Sequence, residues 1–210
     1  MLDPVLIDDA INTFTTLFVV IDPVGNAPIF LALTVGASRL ERRRIALRGV
    51  IIAWGILMLF ALTGNAVLEF VGISMPAFRI AGGLLLFLTA LDMLFEKRTE
   101  RRERRAGEEI DDPSVFPLAL PLIAGPGSIA ALILLMHEHD GNVMGQGMVL
   151  GVMTGVLLLT LIFLLLSAPL ERLLRRTGTM VVTRVLGMLL AALSVQFVLD
   201  GFAALGILPV

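Results

Sequence analysis

Six apolar stretches, each long enough to cross a bilayer, fill most of this 210-residue chain. They cover residues 9–34, 46–71, 76–95, 116–136, 145–168 and 183–208. A transmembrane helix needs roughly 20 mostly apolar residues, and every one of these stretches meets that length. The remainder is too short to build a separate soluble domain. Soluble domains of this size carry about 45–50% apolar and about 25% charged residues. Here the figures are 57% and 16%, with a mean hydropathy of +0.94. A water-soluble globule, a disordered chain and a basic nucleic-acid binder are excluded. The absence of cysteine excludes a disulfide scaffold, a thiolate metal site and a cysteine nucleophile.

The connections alternate in charge. The first carries Arg39, Arg42, Arg43, Arg44 and Arg48. The third carries Lys97, Arg98, Arg101, Arg102, Arg104 and Arg105, and the fifth carries Arg172, Arg175, Arg176 and Arg184. Every basic residue except Arg79 lies in these three segments. Acidic residues mark the other side: Asp3, Asp8 and Asp9, then Glu69, then Glu138 and Asp140. Lys and Arg stay on the cytoplasmic side because they resist translocation. Both termini are therefore expected outside the cytoplasm of an inner-membrane protein. No basic region followed by a cleavable apolar core begins the chain, so no secretory leader is expected.

The third and sixth spans share a register. Arg79 to Leu94 reads RIAGGLLLFLTALDML, and Arg184 to Leu199 reads RVLGMLLAALSVQFVL. Arg79 and Gly82 match Arg184 and Gly187, with four leucine positions in common. The first and fourth spans repeat a second landmark, Asp22-Pro23-Val24-Gly25-Asn26 against Gly125-Pro126-Gly127-Ser128. The chain thus reads as two three-helix repeats, 1–95 and 116–210, joined by a charged cytoplasmic linker at 96–115. That linker reads as a solvated tether, with anionic lipid headgroups as its alternative contact. An odd number of spans forces the second repeat to enter the membrane inverted, an architecture frequent among secondary transporters. The expected fold is therefore an all-α membrane protein of six transmembrane helices, with the first and fourth discontinuous.

Discontinuity follows from the residues in those two helices. Proline removes a backbone donor and clashes with the preceding turn, and glycine relaxes the chain. Pro23, Gly25 and Pro28 fall near the middle of the first span; Gly125, Pro126 and Gly127 fall near the middle of the fourth. Non-helical backbone at that depth survives only when buried in protein or lining a wet cavity. New helices are expected near Asn26 and Ser128, their N–H groups suited to a carboxylate, while the carbonyls ending the preceding halves suit an ammonium or small cation. Asp22 is the one acid expected at mid-depth, where an uncompensated charge costs at least about 2.5–3.5 kcal/mol. It reads either as a counter-charge for a substrate amine, Na⁺ or H⁺, or as a cap for orphan N–H groups. Thr15 and Thr16 read as bonded within their own helix.

Weaker features are weighed the same way. Arg79 reads as a residue snorkelling to the interface, and Asp92, Glu69 and Asp200 as interfacial acids near span ends. His137, Glu138, His139 and Asp140 form a short external turn that reads as solvated rather than metal-binding. Gly147, Gly151 and Gly155 make a small-residue face on the fifth span, suited to packing within the chain or in a homo-oligomer. No phosphate-binding loop, serine elbow or metalloprotease helix is present, so enzymatic activity is not expected.

Three segments resemble the hallmarks of the MarC family of bacterial and archaeal membrane proteins. They run from Ile21 to Phe30 (IDPVGNAPIF), from Ala77 to Phe87 (AFRIAGGLLLF) and from Pro117 to Ser128 (PLALPLIAGPGS). The resemblance covers essentially the whole chain. It implies six membrane helices and a place among neutral amino acid transporters, with glycine and alanine uptake attributed to some members.

The expected function is a secondary transporter of small neutral amino acids working by alternating access. Its substrate site would be formed by Asp22, Pro23, Gly25, Asn26, Gly125, Pro126, Gly127 and Ser128. No metal or organic cofactor is expected, and H⁺ or Na⁺ is the candidate coupling ion. The competing readings are an exporter of another small metabolite, a channel, and an assembly or lipid-handling protein without a soluble substrate. The expected partners are a small solute and the bilayer, not nucleic acid.

Overall fold

A computed structural model describes residues 4–95 and 112–207. Among these residues there is no strand, and eight helical segments follow one another. They are α1 (Pro4–Ile21), α2 (Pro23–Leu33), α3 (Arg39–Val71), α4 (Met75–Leu94), α5 (Ser114–Ile123), α6 (Pro126–Glu138), α7 (Val143–Leu165) and α8 (Ser167–Ala204). Length and apolarity qualify five stretches to cross a membrane: Leu6–Leu33, in which α1 runs into α2, then Arg39–Val71, Met75–Leu94, Val143–Leu165 and Thr177–Ala204. The pair α5 and α6, bent by 53°, makes a sixth when taken as one span.

The ends of the long helices have local causes. Ser38 accepts from the Glu41 N–H while the Glu41 carboxylate accepts from the Ser38 N–H, a reciprocal cap that starts α3. Gly72 stops α3 in the left-handed region at φ 79°, where a side chain would be strained. Ser74 caps α4, and Asn142 accepts from the Met144 and Gly145 N–H groups to open α7.

Two connections differ from what hydropathy suggested. The basic residues of the first connection sit in the opening turns of α3, and the fifth connection is the helical start of α8 rather than a loop. Arg, Leu and Glu are all good helix formers, so the helix continues through residues too charged for the hydrocarbon. Hydropathy marks where lipid begins, not where the helix does. Most of the expected linker, residues 96–111, lies outside the described residues; its last residues already belong to the approach to α5.

Burial sorts the helices into inner and outer. The apolar window of Leu6–Leu33 is 67% buried, against 22–33% for the four continuous spans, so the α1–α2 rod is central. In α6 every residue from Ala130 to Met136 is buried, as expected for a helix that is apolar all round. By contrast α3, α4, α7 and α8 turn Leu, Ile, Val and Phe outward, Leu62, Leu88, Leu158 and Met188 among them. Such a surface suits acyl chains.

One core joins Leu17, Ile21 and Phe30 to Leu57, Leu118, Leu132 and Met153. A second joins Val19 and Val20 to Leu86, Met93, Leu134, Leu190 and Phe197. The antiparallel helices α4 and α8 lock along glycines. A Cβ on Gly83 would stand 2.7 Å from the Ser194 carbonyl oxygen, one on Gly187 3.0 Å from Met93 Cβ, and one on Gly201 2.6 Å from Ile80 Cγ1. Small residues let membrane helices approach this closely, where dispersion and carbonyl contacts replace the missing hydrophobic drive.

Candidate functional site

The first break is one residue wide. Pro23 has no N–H to continue the ladder, and Asp22 before it takes the left-handed conformation, φ 53° and ψ 65°. Ordinary helical bonds resume on either side, from the Asp22 N–H to the Phe18 carbonyl (2.9 Å) and from the Asn26 N–H to the Asp22 carbonyl (3.0 Å). The Asp22 carboxylate turns back over the new helix and its Oδ1 accepts from the Gly25 N–H at 3.0 Å. A Cβ at Gly25 would collide with that carboxylate, which explains the glycine. Asp22 is 1% exposed, and a left-handed non-glycine residue held there marks a place where surrounding structure overrides a local cost.

The second break is wider. Pro117 and Pro121 interrupt α5 with residues Phe116 and Leu120 extended before them, as the proline ring demands of its predecessor. Both X–Pro bonds are cis. The four-residue spacing of these prolines is the signal in the sequence that marks this break. Gly125 then precedes α6 and brings no side chain to cap it. Its Cα faces the Pro121 carbonyl oxygen, 2.6 Å from where a Cβ would stand, so only glycine fits.

Both breaks carry the same clasp. Asn26 donates its side-chain amide to the Ile21 carbonyl at 2.7 Å, and the Ser128 hydroxyl donates to the Ile123 carbonyl at 2.8 Å, each five residues back. The Ser128 oxygen also lies 3.0 Å from the Gly125 carbonyl. Each clasp satisfies a carbonyl orphaned by the break, which buried backbone requires. Gly127, at the second break, packs against α1 and α4: a Cβ there would lie 3.5 Å from Val20 Cγ1, 3.0 Å from Leu86 Cδ2 and 3.7 Å from Thr89 Oγ1.

Chemically the two helix starts are not alike. The start of α2 carries the Asp22 carboxylate, whereas α6 starts after Ala124 and Gly125, with no acid and no side-chain cap. The expectation of two similar amide-rich ends is therefore met only at α6. A carboxylate at a helix N-terminus offsets its partial positive charge, so α2 presents the more negative end and α6 the more positive one. Asp22, Asn26 and Ser128 are nearly inaccessible, while Gly25 is partly exposed and Pro126 exposed.

Other expected residues fall elsewhere. Thr15 bonds the Ile11 carbonyl within its own helix. Arg79 is not merely snorkelling: its Nη2 donates to Glu138 Oε1 at 2.9 Å, and only 18% of its side chain is exposed. His139 Nε2 lies 3.4 Å from Asp9 Oδ2. The turn after α6 is thereby tied to α4 and to α1, a role that 59 and 130 residues of separation hide from sequence. Before α5, Asp112 pairs with Arg48 at 3.1 Å and accepts from Ser114; the Ser114 hydroxyl, then its N–H and Arg48, hold the Asp112 carboxyl below its ordinary range against the opposing effect of burial. Among the described residues nothing lies within 4 Å of where a Cβ would stand on Gly147, Gly151 or Gly155.

Residues 7–205 match the family pattern described as MarC family integral membrane protein. A UPF0056 membrane protein of Archaeoglobus fulgidus is 45% identical over 196 residues, covering 91% of either chain. One from Methanocaldococcus jannaschii is 38% identical, covering 91% of this chain and 94% of its own. YvbG of Bacillus subtilis is 35% identical over 95% and 96% respectively. No solved structure matches.

Proposed function

This chain belongs to the MarC family of integral membrane proteins, and on that premise we propose that it is a secondary transporter of small neutral amino acids. The observation that carries the reading is the unlike pair of buried helix starts. A zwitterion needs a negative group for its ammonium and a positive one for its carboxylate, a few ångströms apart. Asp22 supplies the first, and the uncapped start of α6 at Gly127 and Ser128 supplies the second. Pro23, Gly25, Asn26, Gly125 and Pro126 complete the proposed site by holding the backbone open at both breaks. Burial of these groups suits an occluded state in which the site is closed to both sides.

In this proposal the halves 1–95 and 116–210 are inverted repeats that rock about the two breaks. Support comes from the repeated clasps and from the antiparallel crossing of α4 and α8, whose Arg79 and Arg184 stand in one sequence register. The termini would face away from the cytoplasm of an inner membrane, with the basic segments inside. Asp22 would couple transport to H⁺ or Na⁺, since it can lose its charge or hold a cation as the site changes face.

The test is uptake of labelled glycine, alanine and serine into proteoliposomes under imposed pH and Na⁺ gradients. The expected result is gradient-dependent accumulation of at least one of them, abolished by Asp22→Asn. If none accumulates under any gradient, the amino acid reading is wrong. If Asp22→Asn accumulates substrate like the parent, Asp22 is a cap and the ammonium binds elsewhere.

A further inference from the structure

A cleft of about 490 Å³ opens between the first turn of α3 and the first turns of α8, lined by Arg39, Ala168, Pro169 and Leu173. It lies at the basic end of the bundle, far along the chain from the helix breaks, and the proposed transport does not use it. Among the described residues its lining joins one guanidinium to three apolar side chains. Among the described residues Arg39 makes no ion pair, and Glu171, the acid on that part of α8, is exposed and not bonded to it.

Two buried donors in the neighbouring turns of α3 and α8 have no partner among the described residues. Arg42, one helical turn after Arg39, spends Nη2 on the Thr34 carbonyl at 3.2 Å, but its Nε is buried without an acceptor. The Ser167 hydroxyl, next to Ala168 and 1% exposed, is likewise unpartnered. Around them Leu40, Leu166 and Leu173 are 59%, 53% and 81% exposed. Leucines that open onto water would be costly; against acyl chains they are not.

We infer that this cleft seats the phosphate of an anionic phospholipid, with Arg39 as its charge partner and Ala168, Pro169 and Leu173 against the glycerol and upper acyl chain. A guanidinium matches phosphate oxygens in pairs and tolerates partial dehydration better than an ammonium does. Basic pockets between membrane helices on the side rich in Lys and Arg recognise anionic headgroups in this way. A free phosphate would leave the apolar wall wet. A zwitterionic headgroup would bring its own cation to a cleft that no carboxylate lines among the described residues.

The experiment is native mass spectrometry of the purified full chain in neutral detergent, counting retained phosphatidylglycerol, phosphatidylethanolamine and inorganic phosphate. Arg44→Gln, which removes the same charge from another face of α3, serves as the control. Phosphatidylglycerol is expected to be retained in preference to phosphatidylethanolamine. Arg39→Gln should weaken that retention about fivefold, the equivalent of about 1 kcal/mol for one basic residue, while Arg44→Gln leaves it unchanged. Equal losses in Arg39→Gln and Arg44→Gln would mean diffuse surface charge and overturn the site. So would retention of inorganic phosphate as strong as that of the lipid, or no preference between the two lipids.

Discussion

The side-chain amide of Asn26 reaches back five residues to the Ile21 carbonyl, 2.7 Å away, across the residue that separates α1 from α2. Ser128 spans the same interval to Ile123 at 2.8 Å with a hydroxyl. An amide and a hydroxyl thus do one job, and neither is idle while the break is held. Removing the donor leaves a buried carbonyl without a partner, a loss of about 1–3 kcal/mol. Asn26→Ala and Ser128→Ala should each lower thermal stability by that order. Asn26→Ser should recover most of it, because Ser128 demonstrates that a serine has the reach. Unfolding followed through the single tryptophan, Trp54, gives the measurement. Equal loss in Asn26→Ala and Asn26→Ser would show that the clasp itself contributes nothing.

Gly25 and Asp22 should be coupled. A methyl group at Gly25 occupies the space of the Asp22 carboxylate, so Gly25→Ala must expel the cap as well as crowd the turn. In an Asp22→Gly background the collision is gone and the cap is already lost. Gly25→Ala should then cost much less than in the parent, and the two changes should be non-additive by about 0.5–3 kcal/mol. A double-mutant cycle on thermal or denaturant unfolding measures this. Strict additivity would mean that Gly25 is needed for some other reason.

The all-helical fold and its long apolar spans were readable from composition and spacing, because a bilayer permits few solutions. Long apolar runs must span. What the sequence hides is what distinguishes the two breaks. Asp22 stands at the start of α2 and Gly125 at the start of α6, yet whether the Asp22 carboxylate turns onto its own helix or toward a partner depends on the φ of one residue. The winding of α5 around Pro117 and Pro121, and the pairing of Arg79 with Glu138, depend on contacts made far along the chain. Helix continuity into the basic segments was hidden because charge limits burial, not helicity.

Asp112 anchors the approach to α5, and its effect on stability should depend on pH in a definite direction. The carboxyl is held below its ordinary range chiefly by the Ser114 hydroxyl, with help from the Ser114 N–H and Arg48. A depressed folded value means that the stabilisation is complete above the unfolded carboxylate pKa, about 3.9. It fades as pH falls through the lower folded value. The stability difference between the parent and Asp112→Asn should therefore be constant near neutrality and shrink only in acid. The group is close to solvent and the pair with Arg48 is exposed, so the neutral-pH difference should also diminish in high salt. A difference that grew on acidification would contradict the assignment.

Pro126 and Ser128 stand two residues apart at the start of α6, yet Pro126 is exposed and Ser128 is 2% exposed. The chain contains no cysteine, so a single one introduced at either position is reported without background. Thiol reagents that are charged and confined to water react with thiolate, which does not form in hydrocarbon. If the exposed edge of the break lines an aqueous path, Pro126→Cys should be modified by such a reagent and Ser128→Cys should resist it. Saturating the transported amino acid should then protect Pro126→Cys, since the carboxylate is proposed to lie against Gly127 and Ser128 beside it. Labelling of Ser128→Cys at the same rate as Pro126→Cys would mean that the clasp opens freely. Complete resistance of Pro126→Cys would place that edge against lipid and remove the aqueous path that alternating access requires.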